Sequence, residues 1–259
     1  MTQHDSTIQG APCWVDLFTS DMAKAEGFYG GLFGWTAENP GPEYGGYINF
    51  HKNDQPVAGC MKNDGSSGMP DAWSVYLATD DAAATADTVA AHGGTVVVPA
   101  MQVGDKGTMA VFTDVGKAGI GAWQADTHAG FGLYRVPGAP AWFELHTRDY
   151  ANTVQFYRDV FHWDAHVKSD TDHFRYTTLG QGETEQAGIM DVSAFPAEHL
   201  PVGWTIYFAV EDADATAARA VELGGAVVQE PEDTPFGRLA TLTDSTEARF
   251  KLVADQVTS

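Results

Sequence analysis

Apolar and polar positions follow two alternating periods along this chain, and each change of period marks an element. Between residues 14 and 19, Val15 and Leu17 alternate with Trp14, Asp16 and Phe18, the two-residue period of a strand. From residue 22 the spacing becomes helical. Ala25, Phe28, Tyr29 and Leu32 fall on one face, which predicts a helix over residues 22–33 with Asp21 placed to cap it. Residues 47–50 and 57–61 read as strands around an Asn53-Asp54 turn. The series then restarts with a strand over 73–79 and an Ala-rich helix over 82–92, closed by Gly93-Gly94. Strands over 95–98, 109–113 and 120–124 follow. The later half gives the same series, with helices near 151–160 and 213–223. Strand, helix and three strands, four times over, is an α+β chain.

The repetition extends to rare residues. Gly10-Ala11-Pro12-Cys13-Trp14 returns as Gly138-Ala139-Pro140-Ala141-Trp142. Asp21, Phe28-Tyr29, Phe33 and Trp35 return as Asp149, Phe156-Tyr157, Phe161 and Trp163. Trp73 matches Trp204, Gly93-Gly94 matches Gly224-Gly225, and Thr113-Asp114 matches Thr243-Asp244. Six of the seven tryptophans thus fall in matched pairs, which reads as an internal duplication. The expected division is one domain over 1–125, a Gly- and Pro-containing linker over 126–138, and a second domain over 139–259. Differences between the copies then carry the information about function.

At 259 residues the chain accommodates two domains of roughly 100–150 residues with cores of their own. Its net charge of −21, with only 14 Lys and Arg and no basic run, argues against nucleic acid as a partner. The acidity reads first as a solubility device and second as an attraction for cationic ligands. No apolar run approaches the roughly 20 residues of a membrane span, and residues 1–9 lack a secretory pattern. Cys13 and Cys60 form neither a disulfide framework nor a metal motif. The expectation is a cytoplasmic protein, monomer or homodimer, acting on a small molecule, with no membrane partner.

A strand ending near an Asp, seven residues before Phe-Tyr in a helix, then a glycine-rich turn and a second such unit, resembles the vicinal oxygen chelate superfamily. That family includes glyoxalase I, extradiol dioxygenases, and fosfomycin- and bleomycin-resistance proteins. The chain is most similar to its tandem actinobacterial type, described as glyoxalase/bleomycin-resistance proteins or hydroxylases. The resemblance implies two glyoxalase-like domains, each of paired βαβββ modules curved into cups that hold ligands. Whether modules pair within or across halves stays open. Metal-using members place His, Glu or Gln at four positions around each cup. Here those positions carry Trp14, Ser74, Gly59 and Gly121, and Trp142, Thr205, Gly188 and Lys251. None supplies the imidazole, carboxylate or thiolate that a transition metal requires, so neither metal nor other cofactor is expected.

Strand alternation assigns the cup faces around these positions. The first cup presents Trp14, Asp16, Phe18, Ser74, Tyr76 and Trp123, an aromatic pocket whose small residues leave it roomy. The second presents Trp142, Glu144, His146, Thr205, Tyr207 and Lys251, with Arg249 and Val253 on the same strand face as Lys251. Each has a plain structural reading as well: the tryptophans as packing, Asp16 and Glu144 as cross-strand partners, Lys251 as an ion-pair donor, the tyrosines as wall residues. Glu144 and His146, two apart on one face, can also form a general base, with Tyr207 beside them. The other histidines make no pair at metal spacing, and most read as surface residues. Two functions are therefore expected. One is a metal-independent protein that binds a small aromatic or cationic molecule, as bleomycin-resistance proteins do. The alternative is a metal-free isomerase, lyase or hydroxylase-like enzyme of secondary metabolism using Glu144, His146 and Tyr207.

Overall fold

The computed structural model describes residues 8–197 and 200–255. In the first half β1 (Pro12–Thr19) leads into α1 (Met22–Phe33), followed by β2 (Thr36–Glu38), β3 (Ile48–Lys52) and β4 (Gln55–Lys62). The unit repeats as β5 (Ala72–Ala78), α2 (Ala82–Ala91), β6 (Thr95–Val103), β7 (Gly107–Thr113) and β8 (Gly119–Ala125). The second half follows the same order. It runs β9 (Pro140–Thr147), α3 (Tyr150–Phe161), β10 (Ala165–Asp170), β11 (Arg175–Leu179) and β12 (Ala187–Asp191). Then come β13 (Gly203–Ala209), α4 (Ala213–Glu222), β14 (Ala226–Thr234), β15 (Gly237–Thr243) and β16 (Arg249–Ala254). Local chemistry sets the helix ends. Asp21 accepts the Lys24 N–H at the start of α1, and Gly34, with φ of 72°, ends it in the left-handed region. Among the described residues no helix is long and apolar enough to cross a membrane.

Modules pair within halves. The strand orders are β2-β3-β4-β1-β5-β8-β7-β6 and β10-β11-β12-β9-β13-β16-β15-β14. At each centre two modules meet as an antiparallel pair. Trp14 lies opposite Tyr76 and Asp16 opposite Ser74; Trp142 lies opposite Tyr207, Glu144 opposite Thr205, and His146 opposite Gly203. Parallel neighbours flank this pair. They set Gly59 beside Asp16, Gly188 beside Glu144, Gly121 beside Tyr76 and Lys251 beside Tyr207.

The helix-covered faces of the two sheets turn toward each other and share one core. Phe33, Trp35 and Trp73 pack on Phe208, and Phe28 and Tyr29 on Phe250, across the halves. Burial of each such ring is worth roughly 1.5–3 kcal/mol. Hydrogen bonds repeat the exchange in both directions. Trp73 donates to the Tyr29 hydroxyl, which donates to Asp244; Trp204 donates to Tyr157, which donates to Asp114. Trp35 donates to the Gly138 carbonyl and Trp163 to that of Gly10. The duplicated pairs Trp35/Trp163, Trp73/Trp204, Tyr29/Tyr157 and Asp114/Asp244 therefore belong to the junction between halves. The opposite faces carry the candidate site residues.

Candidate functional site

In the second cup one carboxylate organises everything around it. Glu144, on the central strand β9, is buried and accepts hydrogen bonds at both oxygens. His146 Nε2 lies 2.8 Å and Tyr207 Oη 2.8 Å from Oε1, and Tyr176 Oη lies 2.9 Å from Oε2. Lys251 donates to the Tyr207 hydroxyl at 2.8 Å and stands 3.5 Å from Glu144 Oε1. Trp142 Nε1 completes the chain by donating to Tyr176 at 3.0 Å. Burial alone would push the Glu144 carboxyl up. The His146 hydrogen bond, the Lys251 charge and the Tyr207 hydrogen bond outweigh it and hold the group at about 2. Burial and the Glu144 charge push the Tyr176 and Tyr207 phenols well above their ordinary value, so both stay neutral donors.

An ionised carboxylate only accepts, so His146 carries a proton on Nε2. Its Nδ1 is buried and has no hydrogen-bond partner among the described residues, in a side chain only 2 % exposed. Gly203, opposite His146, borders open space: a Cβ built there meets nothing within 4 Å. The arrangement offers an imidazole oriented by a buried carboxylate, facing Gly203 on the neighbouring strand, with an ammonium group on the same face.

The first cup repeats the frame without its positive groups. Asp16 is buried and accepts from Tyr47 at 2.6 Å and from Trp14 Nε1 at 3.0 Å; Trp14 also lies 2.9 Å from the Tyr47 hydroxyl. Phe18 stands where His146 stands in the other half, and Gly121 and Gly119 where Lys251 and Arg249 stand. With no cation near, burial pushes the Asp16 carboxyl up, against the opposing hydrogen bonds of Tyr47, Tyr76 and Trp14. The two cups present a buried carboxylate shifted in opposite directions, up at Asp16 and down at Glu144.

The face assignments place the expected residues together, with two corrections. The glycines do not make the first cup roomy, because the Tyr47 hydroxyl fills the space a side chain at Gly59 would need and the Tyr76 ring fills that at Gly121. Tyr176 does the same over Gly188. Tyr47 and Tyr176 are site residues that the sequence reading missed; the glycine that each covers on the neighbouring strand was the available signal. The second is His128, one of the further histidines of which most read as surface residues. The connector folds back over the first cup and sets this ring 4.3 Å from Trp14, edge to face. Its Nε2 is buried without a partner, and burial lowers it to about 4, so it is neutral at pH 7. Trp123 closes the same end by donating to the His128 carbonyl. Ser74 is exposed at the rim and Thr205 is half-buried. Both cysteine thiols are buried, pushed up by that burial and correspondingly inert.

The sequence pattern of the Glyoxalase/Bleomycin resistance protein/Dioxygenase superfamily matches residues 13–120 and 139–252, once in each half. The chain belongs to this superfamily. It is 40% identical over 258 residues to CFP32 of Mycobacterium tuberculosis (strain CDC 1551 / Oshkosh), which carries a provisional glyoxylase name, with 98% of both chains covered. It is 38% identical over 263 residues to the anthracycline biosynthesis protein DnrV of Streptomyces peucetius, covering 94% of this chain and 93% of that one. Solved superfamily structures share the fold. The 2,3-dioxygenase LapB from Pseudomonas sp. KL28 gives a TM-score of 0.66 at 13% identity, covering 96% of this chain and 94% of that one. The Mn(II)-bound glyoxalase from Novosphingobium aromaticivorans gives 0.64 at 16% identity, covering 95% and 84%. The superfamily's metal does not fit the residues here. Among the described residues no group of three or more His, Cys, Asp or Glu could hold an ion. In the second cup an ammonium group occupies one donor position, 3.5 Å from the one central carboxylate.

Proposed function

We propose that the second cup is the active site of a metal-independent enzyme that moves a proton on a small aromatic molecule, an isomerase or lyase of secondary metabolism. The observation that carries this reading is His146. Its Nε2 is held by Glu144, and its Nδ1 is buried and unpartnered among the described residues, on the strand position facing Gly203. A histidine kept only for packing gains nothing from an unsatisfied ring nitrogen, which costs on the order of 1–3 kcal/mol. As a base, Nδ1 takes a proton from a C–H next to a carbonyl. The C–H pair becomes the enolate C=C bond and the carbonyl pair moves to oxygen. The imidazolium then returns the proton to another atom of the substrate, so the step needs no oxidant or second substrate. Glu144 stabilises the imidazolium and fixes its tautomer, and Lys251 offsets charge on the enolate oxygen. Tyr207 and Tyr176 hold Glu144 in place as neutral donors.

The relative named for anthracycline biosynthesis supports an aromatic substrate, since anthracyclines are planar polycyclic hydroxyketones. The aromatic first cup suits binding without chemistry, which keeps the sequestration reading for that half. We further assign the chain to the cytoplasm as a monomer or homodimer.

The test is solvent exchange. Wild-type protein in D2O, offered a panel of polycyclic hydroxyketones, is expected to place deuterium into at least one compound that it binds. Glu144→Gln and His146→Gln are each expected to slow exchange by about 10²–10⁴-fold with binding retained. Compounds that bind and quench tryptophan fluorescence yet never exchange would sink the enzyme reading and favour sequestration.

A further inference from the structure

The chain carries few cations and pairs them closely. It has 14 Lys and Arg against 35 Asp and Glu. Arg175, Arg219 and Arg238 form ion pairs with carboxylates. Arg135, Arg148 and Arg158 donate to backbone carbonyls. Arg249 is the remaining arginine, and its guanidinium has no partner among the described residues. It lies on β16, where Phe250 and Leu252 are fully buried against the helices and Arg249, Lys251 and Val253 are half-buried on the cup side. One strand, β13, separates it from His146 on β9, two inter-strand spacings or roughly 10 Å across the floor. Gly203 and Thr205 lie between them, small enough to leave that floor clear.

We infer that Arg249 anchors an anionic group of the ligand, so that the second cup takes aromatic monoanions, with a carboxylate or an acidic phenolate at the Arg249 end. An arginine left unpaired in so acidic a chain lacks the partner that its planar fork of donors is suited to bind. Lys251 is committed at two of its three donors, to the Tyr207 hydroxyl and Glu144, whereas Arg249 has its whole fork free among the described residues. The first cup, with Gly119 at the matching place and no cation at Gly121, discriminates no such charge. The inference depends on the proposed function only in taking the second cup as the ligand site; it does not require turnover.

The experiment compares naphthalene-2-carboxylate with its neutral isostere naphthalene-2-carboxamide by calorimetric titration of the full chain. Wild-type protein is expected to favour the carboxylate by tenfold or more, with the preference shrinking as salt is raised. Arg249→Gln is expected to bring the two affinities within about twofold, and Arg249→Lys to restore part of the preference. An unchanged thermal midpoint would show that the variants remain folded. Equal affinities in the wild type, binding of neither probe, or a preference that survives Arg249→Gln would overturn the assignment. A carboxylate preference without deuterium exchange would leave it standing and remove only the catalytic reading.

Discussion

At Asp16 and Glu144 the same chemical group stands at matched positions on two central strands. Burial raises the Asp16 carboxyl because nothing cationic answers it, whereas His146 and Lys251 draw Glu144 down to about 2. The consequences for stability are opposite in sign. For Glu144, the unfolded chain binds the extra proton between about 2 and 4.5, so its contribution is full above that window and lost as pH falls through it. The difference is worth about 3 kcal/mol. Denaturant midpoints are expected to show wild type gaining stability over Glu144→Gln as pH rises through this range. For Asp16 the folded chain holds the proton longer. Its contribution is full below the unfolded value and fades as pH rises through the folded one. Asp16→Asn, which keeps an acceptor for Tyr47 and Trp14, is expected to match or exceed wild type at pH 8; marked destabilisation there would show an ionised, paired Asp16. The carboxylates and His146 were legible from alternation alone, because residues two apart share a face. Tyr47, Tyr176 and His128 were not, because each reaches the cup from another strand or from the connector, and register and chain path are tertiary facts.

Elements were read more fully than the contacts they make. The period changes located all four helices and, in the first half, most strands to within a few residues; β2, whose exposed residues carry no alternation, was not read, and β6 runs on to Val103. The glycine doublets show where an element-level reading stops. Gly93 ends α2 with φ of 85°, as a helix-closing glycine should. Gly94 serves a different end: a Cβ there would lie 2.6 Å from Val89 and 3.1 Å from Phe156 of the other half. Gly225 meets Phe28 in the same way at 2.8 Å. Gly94→Ala is therefore expected to cost about 1–3 kcal/mol by overpacking. Gly27, an exposed α1 residue with nothing within 4 Å of a built Cβ, is the contrasting case. Gly27→Ala is expected to add about 0.5–1 kcal/mol through helix propensity. Equal effects at the two sites would refute the contact explanation.

At the scale of the whole molecule, pairing within or across halves was not decidable from sequence, since both schemes bury the same strand faces and leave the same cups. The structure resolves it through the central antiparallel pairs, and the duplicated residues then acquire a common purpose at the junction. Each half donates a tyrosine to the other half's aspartate, and each tyrosine also receives a tryptophan of its own half. Tyr29→Phe leaves Asp244 short of a donor and the Trp73 N–H without an acceptor, both buried, which is expected to cost about 1–3 kcal/mol. Tyr157→Phe, with Asp114 and Trp204 in the matching places, is expected to cost a similar amount. Because the two clusters share no residue, the double variant should lose nearly the sum. The single core spanning both halves also predicts how the molecule comes apart: calorimetry is expected to give one transition, shifted downward as a whole by either substitution. Two resolved transitions, with Tyr29→Phe moving only one of them, would mean that each half is stable by itself and that the junction contributes little.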